Sequence, residues 1–164
     1  MSHSKKKNIP GGSGKITSSK EKSAPSRLKW LAIIPLLIIT YLVYTPALKN
    51  SITGWDDSNY ITENTDIREL NSEFIKKSFS PHTGYVMGNY HPITMISYAV
   101  EYKLSKLDPK TYHTNNVLLH LINGILVYLF IWLLSGRILV ASITAALFLL
   151  HPMHVESVAW ISER

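Results

Sequence analysis

Two clusters of side chains in this sequence carry groups suited to proton transfer or ligand binding. The first is Gly54-Trp55-Asp56-Asp57-Ser58-Asn59-Tyr60, in which two adjacent carboxylates stand between aromatics. Such a pair can take a proton from a hydroxyl or hold a divalent cation, provided that the loop keeps it near the reacting atoms. An Asp-Asp step is equally at home in a solvated turn or at a helix cap. Its position decides for chemistry here, because it follows the first apolar run and is flanked by Trp55 and Tyr60, residue types that favour membrane interfaces. The second cluster is His151-Pro152-Met153-His154-Val155-Glu156. Its side chains are ligand types for zinc, but the spacing is not the His-Glu-x-x-His of zinc peptidases. Hydrogen bonding to a substrate phosphate, or orientation of the Asp loop, is the expected role of His151 and His154. Glu156, Glu163 and Arg164 also suit a surface ion-pair set. The chain has no cysteine, so disulfides and thiolate metal ligands are excluded.

The elements that hold these clusters follow from charge and apolar patterning. The composition, 46% hydrophobic and 17% charged, averages unlike pieces. Residues 1–29 hold eight Lys/Arg against Glu21 alone, which is +7 of an overall +6. This segment has no apolar periodicity and is expected to be a disordered, cytoplasmic tail that fixes membrane orientation rather than an arm for nucleic acid. Residues 30–48 are apolar over close to the roughly 20 residues that cross a bilayer core, without a signal-peptide cleavage site. They predict a first membrane helix, with the chain from Lys49 onward on the outer side.

The loop 49–112 is too polar to cross and too long for a plain connector. The apolar spacing of Ile67, Leu70, Phe74, Ile75 and Phe79 predicts a short amphipathic helix capped by Asp66 or Asn71. Pro92 can open another, with Ile93, Ile96, Tyr98, Val100, Tyr102 and Leu104 on its apolar surface, lying at the membrane interface, where Lys103, Lys106 and Lys110 either meet phospholipid headgroups or an anionic lipid substrate or are solvated surface charge. Residues 113–134 form the second crossing, in which His120, Asn123 and Gly124 face a protein partner. The third begins at Ile138, within 138–164, and either continues through His151-Pro152 or ends there. Either way His151, His154 and Glu156 return to the side of Asp56 and Asp57. The fold class expected is an all-α polytopic membrane protein of about three transmembrane helices with a long outer loop carrying juxtamembrane helices. A charged, unfinished end at Arg164 suggests the N-terminal portion of a longer chain.

Three motifs in this order, Trp55-Asp56-Asp57, then Asn89-Tyr90-His91-Pro92-Ile93-Thr94, then the stretch from His151-Pro152 through Trp160-Ile161-Ser162-Glu163-Arg164, resemble the N-terminal region of membrane proteins that join a C-type glycosyltransferase (GT-C) fold to tetratricopeptide repeats. Among these are the transmembrane and tetratricopeptide O-mannosyltransferases, and protein O-mannosyltransferases are more distantly similar. The resemblance covers residues 30–164. It implies a partial GT-C fold, a polyprenyl-phosphate sugar as donor, and transfer to a hydroxyl of an acceptor protein or glycan on the outer face. It implies Asp57 or Asp56 as the acidic catalytic residue, with Asp57 slightly favoured, acting as base or placing a divalent cation. His91 matches the motif at the juxtamembrane helix, and Glu156 the acidic residue at the outer end of the third helix. A bacterial inner membrane, with membrane lipids as surroundings and no nucleic-acid partner, is the expected setting. The competing reading is a non-catalytic anchor or assembly module that presents the loop and downstream repeats to partner proteins. A transporter fits less well, since only the outer side is polar and His120 alone is titratable within a span.

Overall fold

The structure, a computed structural model, describes residues 31–164. The tail at 1–29 and Trp30 lie outside the described residues. The chain is mostly helical and falls into an apolar bundle and a folded cap made from the long loop and the last residues.

In the bundle, helix α1 (Ile34–Tyr44) runs on into a 3₁₀ turn at Thr45–Lys49. The last two bundle helices, α4 (Pro109–Ser135) and α5 (Ile138–Leu150), form a tight hairpin. Asp108 caps the start of α4 by accepting from Lys110 N at 3.3 Å, and Pro109 fits the first turn because its missing N–H would have had no partner there. Gly136, at φ +66°, stops the helix in the left-handed conformation that glycine adopts without strain. Its 27 residues span about 40 Å. Small residues set the packing. Ala141 and Ala145 are fully buried with Ile33, Tyr128 and Leu149, and a Cβ on Gly124 would lie 2.3 Å from Leu149 Cδ2. His120 Nε2 meets the Leu149 carbonyl at 3.0 Å, so a polar side chain also joins α4 to α5.

The outward faces of the bundle carry Leu42, Leu126, Phe130, Leu133, Leu139 and Leu147, all more than half exposed. An apolar surface this continuous belongs against lipid rather than water. Among the described residues, α4 is the one helix long and apolar enough to cross a membrane by itself. The segment Ile138–Leu150 reaches that length only together with the following Pro152–Ala159, from which it is bent by 49°, and Ile34–Lys49 is shorter. The bend has a local cause. Pro152 cannot donate to a helical carbonyl, His151 is extended at ψ 131°, and the chain restarts as a 3₁₀ turn (Pro152–His154) and a short helix α6 (Val155–Ala159).

The cap has its own core. A π-helical turn (Ser58–Thr62), a 3₁₀ turn (Asp66–Arg68), helix α2 (Ser72–Ser78) and helix α3 (Pro92–Ser105) bury Tyr60, Ile61, Ile67, Phe74, Met95, Tyr98 and Ala99 against Tyr112 and Ile161. The amphipathic stretch after Asn64 is thus split. Asn71 rather than Asp66 caps its α-helical part, accepting from Phe74 N at 2.8 Å. A two-residue hairpin also stands in the loop, β1 (Tyr85–Val86) against β2 (Asn89–Tyr90), an addition to the all-helical expectation. Its turn residues Met87 and Gly88 both have positive φ, as a two-residue hairpin turn requires.

The close approach at Gly124 makes a direct prediction. Gly124→Val is expected to lower stability by about 1–3 kcal/mol, read as a lower thermal midpoint in detergent with the helical circular dichroism at low temperature retained.

Candidate active site

The last five residues are the place where the cap is tied together. The Trp160 carbonyl accepts from Asn116 Nδ2 of α4 at 2.9 Å, and the Ile161 carbonyl from the Tyr98 hydroxyl of α3 at 2.9 Å. Ser162 N donates to Asp57 Oδ1 at 3.0 Å. The Arg164 guanidinium meets the Glu101 carboxylate with both terminal nitrogens, at 2.6 and 2.9 Å. This segment therefore bonds α4, α3 and the acidic loop within five residues.

Asp57 is 1% exposed and its carboxylate is fully engaged. Oδ2 accepts from Thr53 N at 3.0 Å and from Thr53 Oγ1 at 2.8 Å, while Oδ1 takes Ser162 N. Each of these donors points the positive end of its dipole at the carboxylate, and together they take up three of its roughly four lone-pair sites. Asp56, next to it, is half-buried and has no hydrogen bond or ion pair among the described residues. Trp55 is largely exposed and meets Trp160 edge to face at 6.3 Å, a second contact between loop and terminal segment. Tyr60 sits beneath them, its hydroxyl donating to the Val86 carbonyl at 3.2 Å and receiving Asn89 Nδ2 at 3.1 Å.

Of the histidines singled out by sequence, His91 packs against the Tyr60 ring at 5.1 Å, and its Nε2 is buried without a partner among the described residues. Burial lowers its pKa below the ordinary value. His151 is exposed, and its Nδ1 accepts from Met153 N at 3.2 Å, capping the turn after α5. His154 is half-buried and reaches inward, 4.7 Å from the Phe148 ring and 5.7 Å from the His120 ring. Glu156 is exposed in the first turn of α6. The structure therefore joins Asp57 to Ser162 and places His154 at a separate cleft, largely apolar with a few polar groups. It does not gather all the candidates at one point. Among the described residues no three His, Asp or Glu side chains converge closely enough to hold a metal ion, and Asp57 is turned into the cap rather than toward the open side of Asp56.

That cleft, of about 400 Å³, lies between α3, the outer half of α4 and the terminal segment. Thr94, Ser97, Asn116, His120, His154 and Arg164 contribute to its lining. Asn116 Oδ1 and Arg164 Nε are buried there without partners among the described residues.

The Arg164–Glu101 pair corrects the expected surface set of Glu156, Glu163 and Arg164. Glu156 and Glu163 are exposed, whereas the Arg164 and Glu101 side chains are 6% and 4% exposed. Burial raises the Glu101 pKa, against the opposing pull of the Arg164 hydrogen bonds and charge and of the Asn115 hydrogen bond. The Arg164 guanidinium also lies 4.4 Å over the Tyr98 ring. Sequence reading passed over Glu101. The available signal was a lone carboxylate on a helix rich in aromatic and aliphatic residues, where a charge is retained only when a partner is buried with it.

With this geometry in place, comparison with known proteins adds a family relation. Protein O-mannosyl-transferase TMTC1 of Mus musculus is 28% identical over 156 residues, covering 86% of this chain and 16% of its own length. The Homo sapiens TMTC1 is 26% identical over 163 residues, covering 94% and 18%. The Drosophila melanogaster Tmtc1 is 36% identical over 78 residues, covering 47% and 9%. This chain is a low-identity relative of O-mannosyl-transferases. It spans about one-sixth of the length of the two mammalian relatives it matches. No family model and no solved structure matches it.

Two stability predictions follow from the two neighbouring acids and from His91. Asp57→Asn turns an amide NH₂ toward one of the donors that the carboxylate now accepts from. It is expected to lower stability by about 1–3 kcal/mol, whereas Asp56→Asn stays within about 0.5 kcal/mol, both measured by thermal melts in detergent. His91 is disposed to be neutral in the fold, so acid protonates the unfolded chain first. Its contribution is complete above about pH 6.5 and is lost as the pH falls toward the lower folded value. His91→Gln is expected to flatten that part of the stability profile below about pH 6.5.

Proposed function

We propose that this chain is the N-terminal part of an integral-membrane glycosyltransferase that moves a sugar from a polyprenyl-phosphate donor to an acceptor hydroxyl on the outer face of a membrane. The relatives' names supply the reaction class and make a mannosyl group the first sugar to test. The observation that carries the reading within this chain is the contrast between the two aspartates. Asp57 is locked by three hydrogen bonds to Thr53 and Ser162, and that lock holds Asp56 in place with its own carboxylate unpaired.

In this reading Asp56 is the base. Its carboxylate takes the proton of the acceptor hydroxyl while the hydroxyl oxygen bonds to the sugar C1. The bond from C1 to the phosphate oxygen breaks, and polyprenyl phosphate leaves with its electron pair. Asp57 is a positioning residue that fixes the loop against the terminal segment. Glu156, exposed in the first turn of α6, is a second acidic group on the acceptor side. His154 in the cleft, His151 at its turn and His91 beside Tyr60 are the substrate-binding candidates. The Ile34–Lys49 segment, α4, and α5 with α6 form three crossings of a partial GT-C arrangement, with the N-terminus cytoplasmic and tetratricopeptide repeats downstream. No step is routed through a divalent cation, since among the described residues no three His, Asp or Glu side chains converge on one point.

In the full-length protein, Asp56→Asn is expected to abolish transfer, a fall of at least about 100-fold, with membrane insertion and melting unchanged. Asp57→Asn is expected to lose activity together with stability. Undiminished turnover by a well-folded Asp56→Asn protein would remove Asp56 from the reaction. Retained partner capture by variants without either carboxylate, with no transfer in the parent protein, would favour the anchor reading.

A further inference from the structure

A second hollow, of about 510 Å³, runs between α3 and the first turns of α4 and belongs to none of the chemistry above. Val100, Leu104 and Leu118 wall it with aliphatic side chains, and Lys110 stands at its polar mouth. The Glu101 side of the buried ion pair and Asn115 close its inner end. We propose that this groove seats one anionic phospholipid of the surrounding leaflet, with an acyl chain along Val100, Leu104 and Leu118 and the phosphate at Lys110. The proposal rests on α4 crossing the bilayer and on nothing in the transfer reaction.

Continuity with the span and charge complementarity identify the occupant. Leu118 is exposed on the same helix as the outward residues Ile122 and Leu126, so the floor of the groove continues directly into the apolar flank of the span. Leu104, 76% exposed on α3, forms the opposite lip and has nothing to pack against among the described residues. Lys110 lies two turns of α4 beyond Leu118, about 12 Å along the axis, and a lysine stem is long enough to bring its ammonium back to the headgroup layer. Lys103 and Lys106, both exposed at the end of α3, add to the positive field. Of the two carboxylates in the lining, Glu101 is neutralised by its ion pair and Asp108 keeps its charge, which leaves three lysines against one acid at the mouth. Asp108 accepts from Lys110 N and Thr111 Oγ1, and Glu101 is paired with Arg164. An aliphatic channel that opens to lipid at one end and, at the other, to ammonium groups that make no ion pair among the described residues suits a phosphate diester on an acyl chain. A zwitterionic lipid would bring its own cation to the same mouth and lose the attraction.

The test is native mass spectrometry of the whole chain purified from equimolar phosphatidylglycerol and phosphatidylcholine. One retained phosphatidylglycerol is expected, preferred over phosphatidylcholine by at least about fivefold, the preference that one lysine at an anionic surface supplies. Lys110→Glu and the milder Lys110→Gln are expected to remove the preference, and Val100→Trp, which fills the channel, to remove the bound lipid. Lys76→Glu, on α2 and outside the groove, is expected to leave both unchanged. Equal retention of the two lipids, no retained lipid in a folded parent chain, or a preference that survives Lys110→Glu would overturn the proposal and leave the groove to a protein segment. The readout needs no sugar transfer, so its failure and the failure of the transferase reading are separate results.

Discussion

Asp57 bonds both to Thr53 in its own loop and to Ser162, 105 residues further along the chain, and the cap depends on the hydrogen bonds it makes to both. A buried carboxylate is tolerated only when donors replace the water it has lost. Here those donors are backbone and hydroxyl groups of Thr53 on one side and the Ser162 amide on the other. The requirement works in both directions, since Ser162 must be present for Asp57 to be satisfied and Asp57 holds Ser162 in place. The neighbouring carbonyls of Trp160 and Ile161 extend the same tie to α4 and α3. The short segment at residues 160–164 is therefore the keystone of the cap.

The two layers are held by different forces. In the cap, aromatic and aliphatic side chains such as Tyr60, Ile61, Tyr98 and Ile161 leave water, and each fully buried one contributes roughly 1.5–3 kcal/mol. In the bundle, lipid is as apolar as the helices, so close contact of small residues and a few polar bonds take over. Gly124, Ala141, Ala145 and the His120 bond to Leu149 supply these. The layers meet at Tyr44, Val117 and Val158, where the first helix, the long helix and the segment after the bend share one cluster. A change in bundle packing thus reaches the cap through α4, whose outer turns belong to both.

The adjacent acids illustrate how a fold assigns different work to like residues. Asp56 and Asp57 are identical in chemistry and next to each other in sequence, yet successive residues of a helical turn point about 100° apart. One carboxylate is turned into the cap and used up in holding it. The other stays half-buried and unpaired. Sequence reading inclined slightly to Asp57 as the reacting group, since nothing in the order of residues distinguishes the two. In the reaction proposed above, the locked residue positions the open one.

By itself the sequence determined the helical character and the apolar stretches, because these depend on local composition and on a periodicity that needs no partner. Gly136 and Pro152 were legible as breakers for the same reason. The tertiary structure alone decided that Glu101 and Arg164 are buried together, that Asp57 bonds to Ser162, and that His154 rather than His151 faces inward. Each of these depends on a contact between segments far apart in the chain. A buried polar group reads as surface until its partner is found.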